Sequence, residues 1–265
     1  MISKTILAIS ITAASVVLAF PSTPDYTTNA TESPLGYRVT FSHNCPATSK
    51  VFPHFIVTNG SACATQDVFD QSSSQGEVRE YMLKFGPEGQ STWTFWIDDQ
   101  ANSTGPRARS LVEATCELNS SRCNMDISNI EAASNGFEVT MDAETCSTIG
   151  PATKVSPNCA PLSCRVPSGW QCPIPNRFDQ GSGKNYPLAY LDPLQSCISN
   201  CTLYGSDEAC CKNANSTEQT CTNQNPALRD MCEDAYSYAY DDKRAAFVYQ
   251  LTFDGDTAIN IVACP

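Results

Sequence analysis

Histidine is nearly absent from this chain: His43 and His54 are the two it has, and no Cys-x-x-Cys motif occurs anywhere. Zinc sites built from such ligands are therefore excluded, and neither histidine has the Ser/Asp context of a catalytic triad. Positive charge is scarce as well. Sixteen Lys and Arg stand against 28 Asp and Glu, giving a formal net charge of −12 and a pI near 4.5. Nucleic acid, which needs a basic footprint, is excluded as a partner. Beyond the first 20 residues no apolar run is long enough for a membrane helix. The closing INIVACP has neither the spacer nor the hydrophobic tail of a lipid-anchor signal.

What the chain does have points outside the cell. Lys4 precedes an apolar and small-residue run, Thr5 to Phe20, which is short for a bilayer span and contains Val17-Leu18-Ala19. This reads as a secretory signal peptide, residues 1–19, cleaved after Ala19. Residues 20–35, rich in Ser, Thr and Pro, read as a flexible mature N-terminus. Six Asn-x-Ser/Thr sequons agree with secretion: Asn29, Asn59, Asn102, Asn119, Asn200 and Asn215. Cysteine makes up 15 of 265 residues. In an oxidising compartment these form disulfides, and the odd total leaves at least one outside the internal pairs.

Alternation of apolar and polar residues predicts strands at Tyr37–Ser42, Val51–Val57, Arg79–Phe85, Ser91–Ile97, Gly136–Met141, Ala245–Phe253 and Ile259–Ala263. Turn signals such as Asn59-Gly60, Gly86-Pro87 and Asp254-Gly255 separate them. Many short strands with little helix predict an all-β fold, an antiparallel β-sandwich over 36–145 and 233–265. Residues 146–232 carry Pro, Gly and Cys with few apolar runs and predict an inserted disulfide-rich unit of loops and short helices. Within it, Asp192-Pro193 predicts a helix start that runs to Gly205 and puts Cys197 and Cys201 on one face. Asn225-Pro226 predicts a second short helix running toward Cys232.

Four segments carry a family resemblance: YRVTFSHNCP (37–46), DISNIEAASNGFEVTM (126–141), the 197–242 block that includes YGSDEACC and NPALRDMCEDAYSYAYDD, and the final INIVACP. Together they resemble thaumatin-like proteins, the pathogenesis-related group that includes osmotin. The resemblance implies the bridges Cys45–Cys264, Cys201–Cys210, Cys211–Cys221 and Cys146–Cys232, with Cys197 joined to Cys159 or Cys164. Cys63, Cys116, Cys123 and Cys172 have no counterparts in the family. Cys116–Cys123 and Cys164–Cys172 are expected as extra bridges, leaving Cys63 unpaired. Two departures mark a divergent or trimmed member. The family's small loop domain is missing around 101–110, and Tyr249 stands near the place of a family cysteine.

The resemblance also implies an acidic cleft that binds glycan and, in some members, hydrolyses β-1,3-glucan. Its Glu falls on Glu113, its first Asp on Asp126, its second on Glu131, and its third on Asp241 or Asp242. Its Arg is not retained, since Asp98 of TFWIDD stands there. Glycoside cleavage needs a carboxylic acid to protonate the leaving oxygen and a second carboxylate as nucleophile or base. Glu113 is the expected acid and Asp126 the expected base. Tyr236, Tyr238 and Tyr240 alternate beside Asp241. Such alternation is a burial pattern, and the same rings, Tyr238 and Tyr240 in particular, are candidates to stack on sugar. The expectation is a monomeric secreted protein, at the cell wall or outside it, with β-glucan as partner and no metal or cofactor. A non-catalytic defence or host-interaction protein, using the scaffold for protein or wall contacts, is the alternative.

Overall fold

Strands form wherever one side of the backbone can be buried. In β1 (Gly36–His43) Tyr37, Val39 and Phe41 point inward and are fully buried, while Arg38, Thr40 and Ser42 point outward. After β2 (Phe52–Asn59) and β3 (Ser61–Cys63), the same alternation builds β4 (Arg79–Lys84) and much of β5 (Gln90–Asp98). Next come β6 (Leu111–Glu117), β7 (Arg122–Ser128), β8 (Ala132–Ala133) and β9 (Phe137–Asp142), then β10 (Cys146–Gly150) and β11 (Leu162–Cys164). The chain continues with β12 (Arg177–Asp179), β13 (Gln195–Ile198), α1 (Asn200–Tyr204), α2 (Pro226–Met231) and β14 (Ala235–Tyr236). It closes with α3 (Asp242–Ala245), β15 (Phe247–Leu251) and β16 (Ala258–Ala263). This is a computed structural model, and it describes residues 35–45, 51–59, 61–63, 72–98, 109–134, 136–150, 155–167, 170–173, 176–179, 195–212, 216–217, 220–221 and 226–265. The expected signal peptide and flexible N-terminus lie outside the described residues.

Two sheets face each other. One has the order β11-β9-β16-β1-β4-β3; the other runs β10-β15-β7-β6-β5-β2, with β14 added beside β7. Pairing is antiparallel in both except at β1–β16 and β7–β14. Between the sheets Phe41 meets Phe95 at 5.0 Å and Phe95 meets Phe137 at 6.1 Å between ring centroids. The polar atoms taken into this core are satisfied across it. Trp93 Nε1 donates to the Tyr37 hydroxyl at 2.8 Å, which donates to Ser91 Oγ at 3.1 Å, as burial of such groups requires. A third, small sheet, β12-β13-β8, joins the later segments to the turn after β7.

The seven strands read from alternation are all present. The hairpin β6–β7 was not among them, and it carries the two carboxylates central to the candidate site. The helix read from Asp192-Pro193 is corrected. Those two residues lie outside the described set, and Gln195–Ile198 is a strand, so Cys197 sits in β13 and shares no helix face with Cys201. Helix begins only at Asn200, where Ser199 Oγ accepts from the Thr202 amide at 3.1 Å and caps the first turn. It ends at Gly205, whose φ of 62° lies in the left-handed region that ends helices without a Cβ penalty. The second helix does begin at Pro226, as read.

Seven disulfides connect the described residues. Cys45–Cys264 fastens the parallel ends of β1 and β16, and Cys116–Cys123 links residues directly opposed on β6 and β7. Cys201–Cys210 and Cys211–Cys221 also match the expected pairs. Three pairings differ from expectation. Cys146 bonds Cys159 rather than Cys232, because the chain folds back on β10 through the Thr148–Ser156 bridge. Cys164 bonds Cys232 rather than Cys172, because pairing with β9 holds β11 at the edge of the first sheet, where the end of α2 packs. Cys197 consequently bonds Cys172 rather than Cys159 or Cys164. The side chain of Cys63, expected unpaired, lies outside the described residues.

Candidate functional site

The outward face of the seven-stranded sheet carries the carboxylates. On β6 Val112, Ala114 and Cys116 point into the core, so Glu113 points out. On β7 Cys123, Met125 and Ile127 point in, so Asp126 points out. The register sets Glu113 directly opposite Asp126, and Thr94 of β5 directly opposite Glu113. Cross-strand partners hold their Cβ atoms about 4.5–5.5 Å apart, so two carboxyl groups meet side by side on a half-buried surface.

Other segments complete the cluster. Glu131 follows β7 and is exposed. Its carbonyl is held by the Ser199 amide at 2.8 Å and the Thr202 hydroxyl at 2.7 Å. Strand β14 pairs with the end of β7 and brings Tyr236 alongside Ser128. The Tyr236 hydroxyl donates to Asp242 Oδ1 at 2.8 Å. Burial pushes the Asp126 carboxyl up to about 8, helped by the negative charges of Glu113 and Asp242. Burial also raises Glu113; hydroxyls from Thr94 and Ser128 oppose the rise, and Glu131 adds to it.

Asp241, expected on this surface as a ligand-binding residue, is buried behind it. It is 2% exposed and held from four directions. Arg229 meets Oδ1 at 3.0 Å, Arg244 meets Oδ2 at 2.8 Å, and the Ser237 amide and hydroxyl donate to Oδ2 at 2.8 and 2.7 Å. Burial opposes its ionisation, but Arg244 and Ser237 outweigh that and hold the carboxyl below its ordinary value. Asp241 instead fixes the 235–242 turn, and its neighbour Asp242 is the aspartate bonded to Tyr236. Tyr238 and Tyr240 contact each other at 6.4 Å, and the Tyr240 hydroxyl donates to the Ser216 carbonyl at 2.9 Å. Tyr236, not chosen as a site residue from sequence, is the tyrosine bonded into the carboxylates. Its place in the register, two residues into the strand that extends β7, is the signal that finds it. Asp98, standing where the resemblance puts an arginine, is buried against Arg109 at 3.0 Å.

Two sequons fall on described side chains. Asn119 is exposed at the β6–β7 turn. Asn200 is half-buried and accepts from Asn176 Nδ2 at 3.1 Å. The Asn59 side chain, Asn29, Asn102 and Asn215 lie outside the described residues. Among the described residues no group of three His, Cys, Asp or Glu side chains is arranged to hold a metal ion, and no helix is long and apolar enough to cross a membrane.

Several known proteins are similar to this chain. Thaumatin-like protein 1a of Malus domestica is 26% identical over 86% of this chain and 90% of its own length. A protein named glucan endo-1,3-beta-glucosidase from Prunus avium is 24% identical over the same shares. A solved laminaripentaose-producing β-1,3-glucanase, in complex with laminaritetraose, superposes with a TM-score of 0.45 at 10% identity, covering 87% of this chain and 99% of its own. The sequence pattern of the Thaumatin family matches residues 98–265, the stretch that contains β6, β7, the crosslinked segments and the closing strands. The chain belongs to the Thaumatin family.

Proposed function

We propose that this is a secreted wall-polysaccharide-binding protein that takes β-1,3-glucan on the Glu113–Asp126 face and cleaves it weakly in endo fashion. One observation carries the reading. Glu113 and Asp126 point outward directly opposite each other on the β6–β7 ladder, where burial and the Glu113 charge raise the Asp126 carboxyl to about 8. A relative spanning 86% of this chain bears the name glucan endo-1,3-beta-glucosidase, which supports this substrate class. The leader-like N-terminal sequence and seven disulfides support export to an oxidising compartment.

The roles then reverse those expected from sequence. The larger shift falls on Asp126, so Asp126 is the acid and Glu113 the nucleophile. Asp126 gives its proton to the glycosidic oxygen as the Glu113 carboxylate attacks the anomeric carbon and the C–O bond breaks. Water then cleaves the glycosyl ester, with the Asp126 carboxylate taking the proton.

One observation favours a binding-only defence or host-interaction protein. Asp98, where the resemblance puts an arginine, is committed to Arg109, so that strand position supplies no cation to align substrate. Reducing-end release from a soluble β-1,3-glucan separates the readings. Release by the wild type, falling about 10²-fold or more in both Asp126→Asn and Glu113→Gln, supports catalysis. Equal release by all three proteins removes these residues from the chemistry. Retention on insoluble glucan without release leaves binding alone, and no retention overturns glucan recognition and leaves protein contacts.

A further inference from the structure

Tyr236 lies between two carboxylates that the sandwich and the closing segment bring together separately. Asp126 comes from β7, inside the sheet. Asp242 is exposed, at the first position of the four-residue helix α3. An exposed aspartate on so short a helix has no packing of its own to keep it beside Asp126. The structure supplies a tether instead. Tyr236 is fixed at backbone level, since β14 pairs with β7 and the Asn129 amide donates to the Tyr236 carbonyl at 2.8 Å. From that anchor its hydroxyl reaches Asp242 Oδ1 at 2.8 Å.

We propose that Tyr236 is a positioning residue, whose phenol holds the Asp242 carboxylate against Asp126 and so sets whether Asp126 carries its proton. The other groups around Asp126 leave room for this role. Glu113 faces it from β6, and Glu131, in the turn after β7, acts on Glu113. Arg244, two residues along α3 from Asp242, is turned away to Asp241 and to the carbonyls of Ala235 and Cys232. The tether therefore adds a like charge that Arg244 does not cancel; the other cation of α3, Lys243, directly follows Asp242. Burial is the first reason that both Asp126 and Tyr236 are hard to ionise, and Asp242 as a negative neighbour adds to it.

The proposal deepens the carboxylate-site reading, and its test needs no glucan, so the two fail separately. The Asp126 side-chain carboxyl is titrated by carbon NMR in the full-length folded protein. Tyr236→Phe, which removes one oxygen, is expected to lower the Asp126 midpoint by about one pH unit, tenfold in proton affinity. Asp242→Asn, at an exposed position, is expected to lower it at least as far, and the double variant no further than Asp242→Asn alone. A midpoint unmoved in Tyr236→Phe while Asp242→Asn lowers it would overturn the positioning role. A midpoint unmoved in Asp242→Asn would overturn the whole link, including in the case where Tyr236→Phe does not fold.

Discussion

The two facing sheets and the crosslinked stretch from Gln195 to Cys232 reach order by different physical routes. In the sheets, Tyr37, Val39, Phe41, Trp93, Phe95 and Ile97 are essentially removed from water, and alternation alone puts them there. In the crosslinked stretch α1 buries no side chain and α2 buries only Leu228 and Met231. Helices of five and six residues are far below the length that holds on its own in water. They are held by an end cap at Ser199 and by Cys172–Cys197, Cys201–Cys210, Cys211–Cys221 and Cys164–Cys232. One region lowers the free energy of the folded state; the other removes freedom from the unfolded one. The carboxylate site stands where they meet, with Glu113 and Asp126 rooted in the sheet and Asp242 delivered by the segment that follows Cys232.

The largest expected effect would break that contrast if it failed to appear. Cys164 and Cys232 are 68 residues apart in sequence, and replacing both with Ala should cost on the order of 4 kcal/mol, mostly by freeing the unfolded chain. Phe95→Ala should cost a similar amount, about 3–5 kcal/mol, by opening a cavity in the folded state. Urea unfolding tells them apart. The bridge variant should show a steeper dependence on denaturant, because its unfolded chain exposes more surface, whereas Phe95→Ala should shift the midpoint at unchanged slope. Equal slopes would mean that the crosslinked stretch is held as the sheets are.

A smaller effect sharpens the boundary between scaffold and site. Removing the Asp241 carboxylate leaves Arg229 and Arg244 facing each other with no anion between them, and unsatisfies the Ser237 donors. Breaking a buried ion pair from one side costs about 3 kcal/mol or more, so Asp241→Ala should lower stability by that order in thermal or urea unfolding. Asp242→Ala, one residue on at an exposed position, should stay within about 0.5 kcal/mol of the wild type. Comparable losses from the two would show that the buried hub and the exposed carboxylate are not distinct.

This pair also marks where sequence reading reaches its limit. Two adjacent aspartates are the same letters, and nothing local says which one points inward. The choice is made by Ser237, Arg229 and Arg244 converging from other segments. The β6–β7 hairpin was hard to see for a related reason. Its inward residues include Ala114, Cys116 and Cys123, so its hydrophobic alternation is faint next to that of β1 or β5. The run Tyr236 to Tyr240 erred the other way: it alternates like a strand, yet pairing stops at Tyr236 because the chain turns into the Asp241 hub. The large-residue strands were legible because burial alone decides them. The family resemblance named Glu113 and Asp126 as candidates, and nothing in the sequence set them opposite each other across the ladder. The three re-paired disulfides lie in segments where spacing says nothing about which sulfurs come together.

An effect that is small at each pH step, about 1 kcal/mol per unit, tests whether the site strains the sheet that carries it. Asp126 has a folded value of about 8 against an ordinary 3.8, so folding favours its protonated form. Stability from this group is therefore fully present below about pH 4 and is lost as pH rises through about 8, at up to roughly 1.4 kcal/mol per unit. Asp126→Asn keeps the shape and cannot ionise. Its stability, followed by urea unfolding from pH 5 to pH 8, should gain on the wild type by about 1 kcal/mol with each unit. Glu113→Gln removes the nearer like charge, so it should flatten the wild-type decline without abolishing it, because burial remains the first cause. Parallel curves for wild type and Asp126→Asn would mean that Asp126 is ionised in the folded sheet at neutral pH. The proton that the proposed chemistry transfers would then not be there.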